Sequence, residues 1–133
     1  MSPDDTNLPN ESPVFPILRG ESVGEAGEFT GRVFLVCDIG DLSRDWESDE
    51  IPILHQDLES HFMNNPGDLD LLMSKVSAIV AEFGDSVSEL AAAAYHRMTI
   101  AIVKVSDAIH VLENGMHIRI FAHENQGDIF FID

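Results

Sequence analysis

The side chains of this chain that could carry chemistry are few and scattered. Its single cysteine, Cys37, ends the apolar run Val33-Phe34-Leu35-Val36-Cys37, which predicts a buried, inert thiol and not a nucleophile. The histidines His55, His61, His96, His110, His117 and His123 follow no metal-ligand spacing, so neither a metal nor another cofactor is expected. There is no GxxxxGK[ST] loop, no Gly-x-Ser-x-Gly elbow and no Cys/His nucleophile motif. The richest segment is Glu82-Phe83-Gly84-Asp85-Ser86-Val87-Ser88-Glu89, which leads into an alanine-rich stretch. Ser86 and Glu89 have the spacing of a capping box, in which Ser86 caps a helix and Glu89 reaches back to the serine amide. His96 falls seven residues after Glu89, about two turns and about 10 Å along the same face. That end of a helix favours a protonated imidazole and disfavours a phosphate.

The elements that must position this segment can be read from periodicity and turn residues. Residues 1–13 are rich in Pro, Asp, Asn and Ser and read as a tail ahead of one domain over 14–133. Gly20, Gly24, Gly27 and Gly31 punctuate a polar stretch before an expected strand at 32–37. A polar loop at 38–50 contains Trp46, expected to be an irregularly packed loop aromatic. A short strand follows at 51–54. The turn Asn64-Asn65-Pro66-Gly67 precedes a short helix reaching Lys75, then a buried strand at 76–81. Residues 87–97 are helical by propensity, with alanines small enough to pack closely on a sheet. Strand 99–104, a short helix 106–112 capped by Ser106, a turn at Glu113-Asn114-Gly115 and two closing strands at 117–121 and 128–132 complete the reading.

Composition narrows the functions. With 24 acidic residues against 7 basic ones the formal net charge is -17, and Lys75 and Lys104 are the only lysines, so nucleic acid is excluded as a partner class. The acids are spread along the chain, as on the solvated surfaces of proteins from a high-salt cytoplasm; a plainer alternative is an acidic domain that avoids self-association. No apolar run approaches the ~18 residues of a membrane span, and the first residues lack the basic flank and apolar stretch of an export signal. A cytoplasmic protein is expected, with no membrane partner.

From Ala78 the order of strand, Glu-x-Gly loop, helix, strand, short helix, Asn-Gly turn and hairpin resembles the mobile swivelling domain of the phosphoenolpyruvate-utilising enzymes. The family pattern A-I-V-T-[DE]-x-G-G-x-x-S-H-A-A runs without a gap along Ala78-Ile79-Val80-Ala81-Glu82-Phe83-Gly84-Asp85-Ser86-Val87-Ser88-Glu89-Leu90-Ala91. The resemblance implies an α/β chain, a single-domain swivelling β/β/α fold of the phosphohistidine type. It places Glu89 where the family carries its phosphohistidine, and makes Gly84, Asp85, Ser86 and Ser88 a degenerate phosphate loop in which Asp85 replaces a glycine. Tyr95 and His96 replace the family's basic and acidic pair, and Met98-Thr99-Ile100-Ala101 its G-I-P-A segment. A glutamate cannot form the phosphoramidate, and two carboxylates at a helix start repel an incoming anion. The resemblance therefore implies a non-catalytic binding or regulatory module with a protein partner and no catalytic residue of its own. The alternative is a phosphotransfer subunit acting in trans with separate nucleotide- and phosphoenolpyruvate-binding domains; a third class is a small-molecule site at Gly84 to Ser88.

The charge makes one direct prediction. Self-repulsion at low ionic strength destabilises the compact state, and salt relieves it. The melting temperature should rise from low to molar KCl by at least about 4 °C, or roughly 1 kcal/mol; a flat series would remove charge repulsion as a determinant of stability.

Overall fold

Two strands organise the chain because each changes partner midway. In the computed structural model, which describes residues 15–132, β1 (Leu18–Gly24) pairs antiparallel with β7 (Gln126–Phe131) through residues 18–21 and with β5 (Ile100–Val103) through residues 21–24. β2 (Gly27–Val36) pairs antiparallel with β6 (His117–His123) through residues 27–32 and parallel with β3 (Glu50–Leu54) through residues 32–36. β4 (Ala78–Ala81) lies parallel between β3 and β5, and β6 and β7 form a hairpin. The result is a closed barrel in the order β1-β5-β4-β3-β2-β6-β7. One half is parallel and the other antiparallel. The expected tail at 1–13 lies outside the described residues.

The barrel has two apolar compartments. Alternation along β2 and β6 sends Val33, Ile118 and Ile120 inward, where they meet Ile51, Ile53, Ala78, Val80, Ile102 and Ile129. On the outside of the parallel half, Val36, Leu54, Ile79, Ala81, Ala101 and Val103 are covered by three helices. These are α1 (Glu59–Asn64), α2 (Pro66–Met73) and α3 (Glu89–Arg97), contributing Phe62, Leu69, Leu72, Met73, Leu90, Ala91 and Ala94. The last helix, α4 (Ala108–Val111), closes one mouth with Ala108 and Leu112. Among the described residues no helix is long and apolar enough to cross a membrane.

Close packing accounts for two of the glycines. A Cβ on Gly127 would sit 2.5 Å from Ile102 Cδ1, inside the barrel. Gly24 has φ of 81°, and a Cβ there would lie 2.7 Å from Cβ of Ala94 in α3.

These observations correct several expectations. The elements from Ala78 onward form where the sequence put them, but they do not assemble into the swivelling β/β/α fold of the phosphohistidine domain. They join a closed seven-strand mixed barrel. The stretch holding Gly20, Gly24, Gly27 and Gly31 was the misleading part: its glycines sit in or beside two long strands, where they admit neighbouring backbone and side chains, so β1 and most of β2 are hidden from a reading that takes glycine as punctuation. Ser106 is not the cap of α4; that position is Asp107, with φ of 63° and no side-chain cap. Cys37 lies just beyond β2 and is exposed, because the strand ends at Val36. Trp46 is packed edge-on against Phe34 with ring centroids 5.3 Å apart.

Gly24→Ala should destabilise the fold by roughly 1–3 kcal/mol, since it meets both a left-handed backbone and α3. Chemical denaturation measures this, and a neutral change would mean that β1 and α3 are not packed as described.

Candidate functional site

The four parallel strands end together, and the residues directly after them are Cys37, His55, Glu82 and Lys104. Loops at this end of parallel strands are where α/β proteins commonly place their sites. Here the polar groups serve one another. Glu82 accepts hydrogen bonds from the amide of Gln56 at 2.9 Å and from the amide of Ile109 at 3.0 Å, tying the loop after β3 and the start of α4 to the end of β4. His55 Nδ1 accepts from the amide of Asp57 at 2.9 Å. Lys104, with φ of 59°, points its ammonium at Glu21, 3.4 Å away. Partial enclosure, then the nearby carboxylates of Asp41, Glu82 and Asp57, push the Cys37 thiol above its ordinary range. Exposed though it is, that thiol stays protonated at neutral pH and is a poor nucleophile.

The loop between β4 and α3 holds the sequence-predicted residues Gly84, Asp85, Ser86, Ser88 and Glu89. Ser88, and not Ser86, caps α3: its Oγ accepts from the amide of Ala91 at 3.2 Å and donates to the carbonyl of Asp85 at 2.8 Å. Asp85 Oδ1 accepts from the amide of Val87 at 2.9 Å, a local turn that competes for the same donors an anion would need. Glu89 is the exposed first residue of α3, so the expected Ser86–Glu89 capping box is absent. Ser86 faces a separate polar recess shared with Glu21, Ser22, Val23 and Asn125. His96 is exposed in the last turn of α3. Among the described residues no three His, Cys, Asp or Glu side chains gather to hold a metal ion.

An open groove that the sequence reading did not find lies beside this end of the barrel. It runs between the 3-10 turn Ile39–Ser43 and α2, with a volume of about 280 Å³ and walls of Ile39, Leu42, Leu71 and Leu72. Asp68 and Lys75 stand at its margin. Ile39 is 50% exposed and Leu71 56% exposed, although both are large and apolar. The wall is held from behind. Arg44 donates to the buried carboxylate of Glu50 at 2.6 Å and lies over the ring of Phe34, 3.9 Å from its centroid. Trp46 Nε1 donates to the carbonyl of Leu42 at 3.2 Å. Burial acts to raise the pKa of Glu50, but Arg44 and the amide of Glu47 overcome it and hold the carboxyl below its usual range. The single tryptophan and a leucine spaced along α2 were the signals available in the sequence, but nothing in it said that the loop after β2 would fold back onto α2.

With this geometry in place, the likeness to known proteins can be judged. Aconitase X of Thermococcus kodakaraensis, in its holo-form, aligns with a TM-score of 0.52 at 14% identity, over 83% of this chain and 98% of that one. The likeness is one of fold. The microcin C7 self-immunity protein MccF aligns over the whole of this chain and 46% of its own, at 13% identity and a TM-score of 0.48, too low to carry an argument. No family model matches the sequence, and no curated protein does. The resemblance to the swivelling domain of phosphoenolpyruvate-utilising enzymes is thereby overturned: the fold is a closed seven-strand barrel with an aconitase X neighbour.

The cap assignment separates two serines that the sequence treats alike. Ser88→Ala should cost about 1 kcal/mol, and Ser86→Ala should stay within about 0.5 kcal/mol of wild type. Equal losses for both in urea denaturation would contradict the observed N-terminus of α3.

Proposed function

We propose that this chain is a non-catalytic protein-binding module that receives an apolar side chain of a net basic partner segment in the groove between residues 39–43 and α2. The observation that carries this reading is the exposure of Ile39 and Leu71 on either side of an apolar cleft of about 280 Å³ in a protein of net charge -17. An apolar cleft supplies affinity for an anchoring side chain, as in helix-in-groove recognition. The formal charge of -17 supplies long-range attraction for a basic segment and discourages acidic competitors. At the neighbouring strand ends, the hydrogen bonds of Glu82, Asp85 and Ser88 are spent on holding loops, which suits a scaffold more than a reaction centre. A cytoplasmic location goes with this reading, supported by a lone thiol with no disulfide partner in the chain.

The single tryptophan makes the groove directly observable, because Trp46 is hydrogen-bonded to the groove wall at Leu42. Titration with a synthetic amphipathic helix of leucine and lysine should give a saturable change in Trp46 fluorescence. Leu71→Asp, at an exposed position, should weaken binding about tenfold or more without altering the melting temperature. An unsaturable response, or equal binding by the variant, would remove the groove as the docking site.

A further inference from the structure

The helices α1 to α3 lie over the parallel half of the barrel and the adjoining end of β1. On the antiparallel half, alternation turns Glu28 and Thr30 of β2, Arg119 and Phe121 of β6, and Asp128 and Phe130 of β7 outward, with no helix over them among the described residues. Register places Thr30 and Phe130 on either side of Arg119, and Glu28 and Asp128 on either side of Phe121. The face is thus a small two-row grid of aromatic and charged groups.

Its arginine differs from the other four arginines of the chain. Arg19, Arg32, Arg44, Arg97 and Lys104 are each paired with a carboxylate. Arg119 has none among the described residues. Its guanidinium lies over the ring of Phe130, 5.4 Å from the centroid, and its Nε is enclosed without a hydrogen-bond partner among the described residues. An enclosed donor left unmet carries a desolvation cost that a second acceptor would relieve. One row away, Glu28 is exposed, and no side-chain hydrogen bond or ion pair involves it among the described residues. Among the described residues the same face therefore offers a cation without a carboxylate partner, over the ring of Phe130, and an anion without a cationic one.

That combination is self-complementary. In a two-fold contact residue i of one copy meets residue j of the other and j meets i, so Glu28 and Arg119, offset by one row within a chain, can each find the other across the axis. Closure of the barrel also removes free strand edges, which leaves face-to-face packing as the route to association. Aromatic and arginine side chains are the types that anchor such contacts. We propose that the helix-free face built on Glu28, Arg119, Phe121 and Phe130 is a two-fold interface with a second copy of this chain. It is independent of the groove, which lies on the helix-covered side.

Sedimentation velocity on the full chain at physiological ionic strength, where screening acts over about 8 Å, tests this. The wild type should show a monomer–dimer equilibrium. Glu28→Arg and Arg119→Glu should each weaken self-association more than about tenfold, since each sets like charges against one another. Mixing the two variants should restore a heterodimer, because opposite charges then meet at both positions. The groove variant Leu71→Asp should associate like wild type. A wild type that stays monomeric at high concentration overturns the proposal, as does dimerisation unaffected by the reversals or a mixture that fails to pair. If Arg119→Glu does not fold by near-ultraviolet circular dichroism, Glu28→Arg decides alone: its side chain is exposed, and undiminished self-association would sink the interface.

Discussion

Everything in this molecule depends on closing the barrel through two strands that each serve two partners. β1 joins β7 to β5, and β2 joins β6 to β3, so a parallel and an antiparallel half share their boundary strands. A strand can change partners this way only if the sheet coils tightly, and tight coiling brings backbone and side chains into spaces where a Cβ does not fit. The close approach of Gly127 to Ile102, and of Gly24 to Ala94, are the local conditions of that closure. Once closed, each of the seven strands has a hydrogen-bonded neighbour on both sides.

Closure also divides the surface. The parallel half has crossover segments long enough to carry helices, and those helices bury the outer face from Val36 to Val103. In the antiparallel half β1 and β2, and β6 and β7, are joined by short turns, and among the described residues no helix lies over the outer face with Arg119, Phe121 and Phe130. The loop after β2 is the exception within the parallel half. It is long, largely polar and has no helix of its own beyond one 3-10 turn, yet Arg44 and Trp46 fix it through Glu50, Phe34 and Leu42. A groove whose wall is held this firmly keeps its shape, and pre-organisation of that kind lowers the entropic cost of binding.

The acidity acts on both surfaces. Ion pairs between exposed side chains contribute little each, so pairs such as Arg97 with Asp70 do not offset the repulsion among the remaining carboxylates. Arg44 with Glu50 is different. Its carboxylate is nearly enclosed, and its depressed pKa means that the stability it contributes is present at neutral pH and is lost as pH falls through the folded-state value.

Much of the local structure was legible in the sequence. Alternating or continuous apolar runs with turn residues at their ends put strands at 51–54, 76–81 and 99–104, where the structure has Glu50–Leu54, Ala78–Ala81 and Ile100–Val103, and also showed the helix with its alanine face and the closing hairpin. The net charge of -17 was equally legible, because charge count does not depend on folding. The order of elements after Ala78, however, is shared by more than one way of assembling them, and it pointed to a phosphohistidine-type domain that the barrel rules out. Which serine caps α3 turned on two residues of loop conformation, set by Asp85 accepting from Val87, that spacing alone cannot distinguish. The groove and the open face were decided only by tertiary structure. Each brings together residues far apart in the chain, Ile39 with Leu71 and Glu28 with Arg119, and the sequence holds no record of a neighbour until the ring of strands has closed.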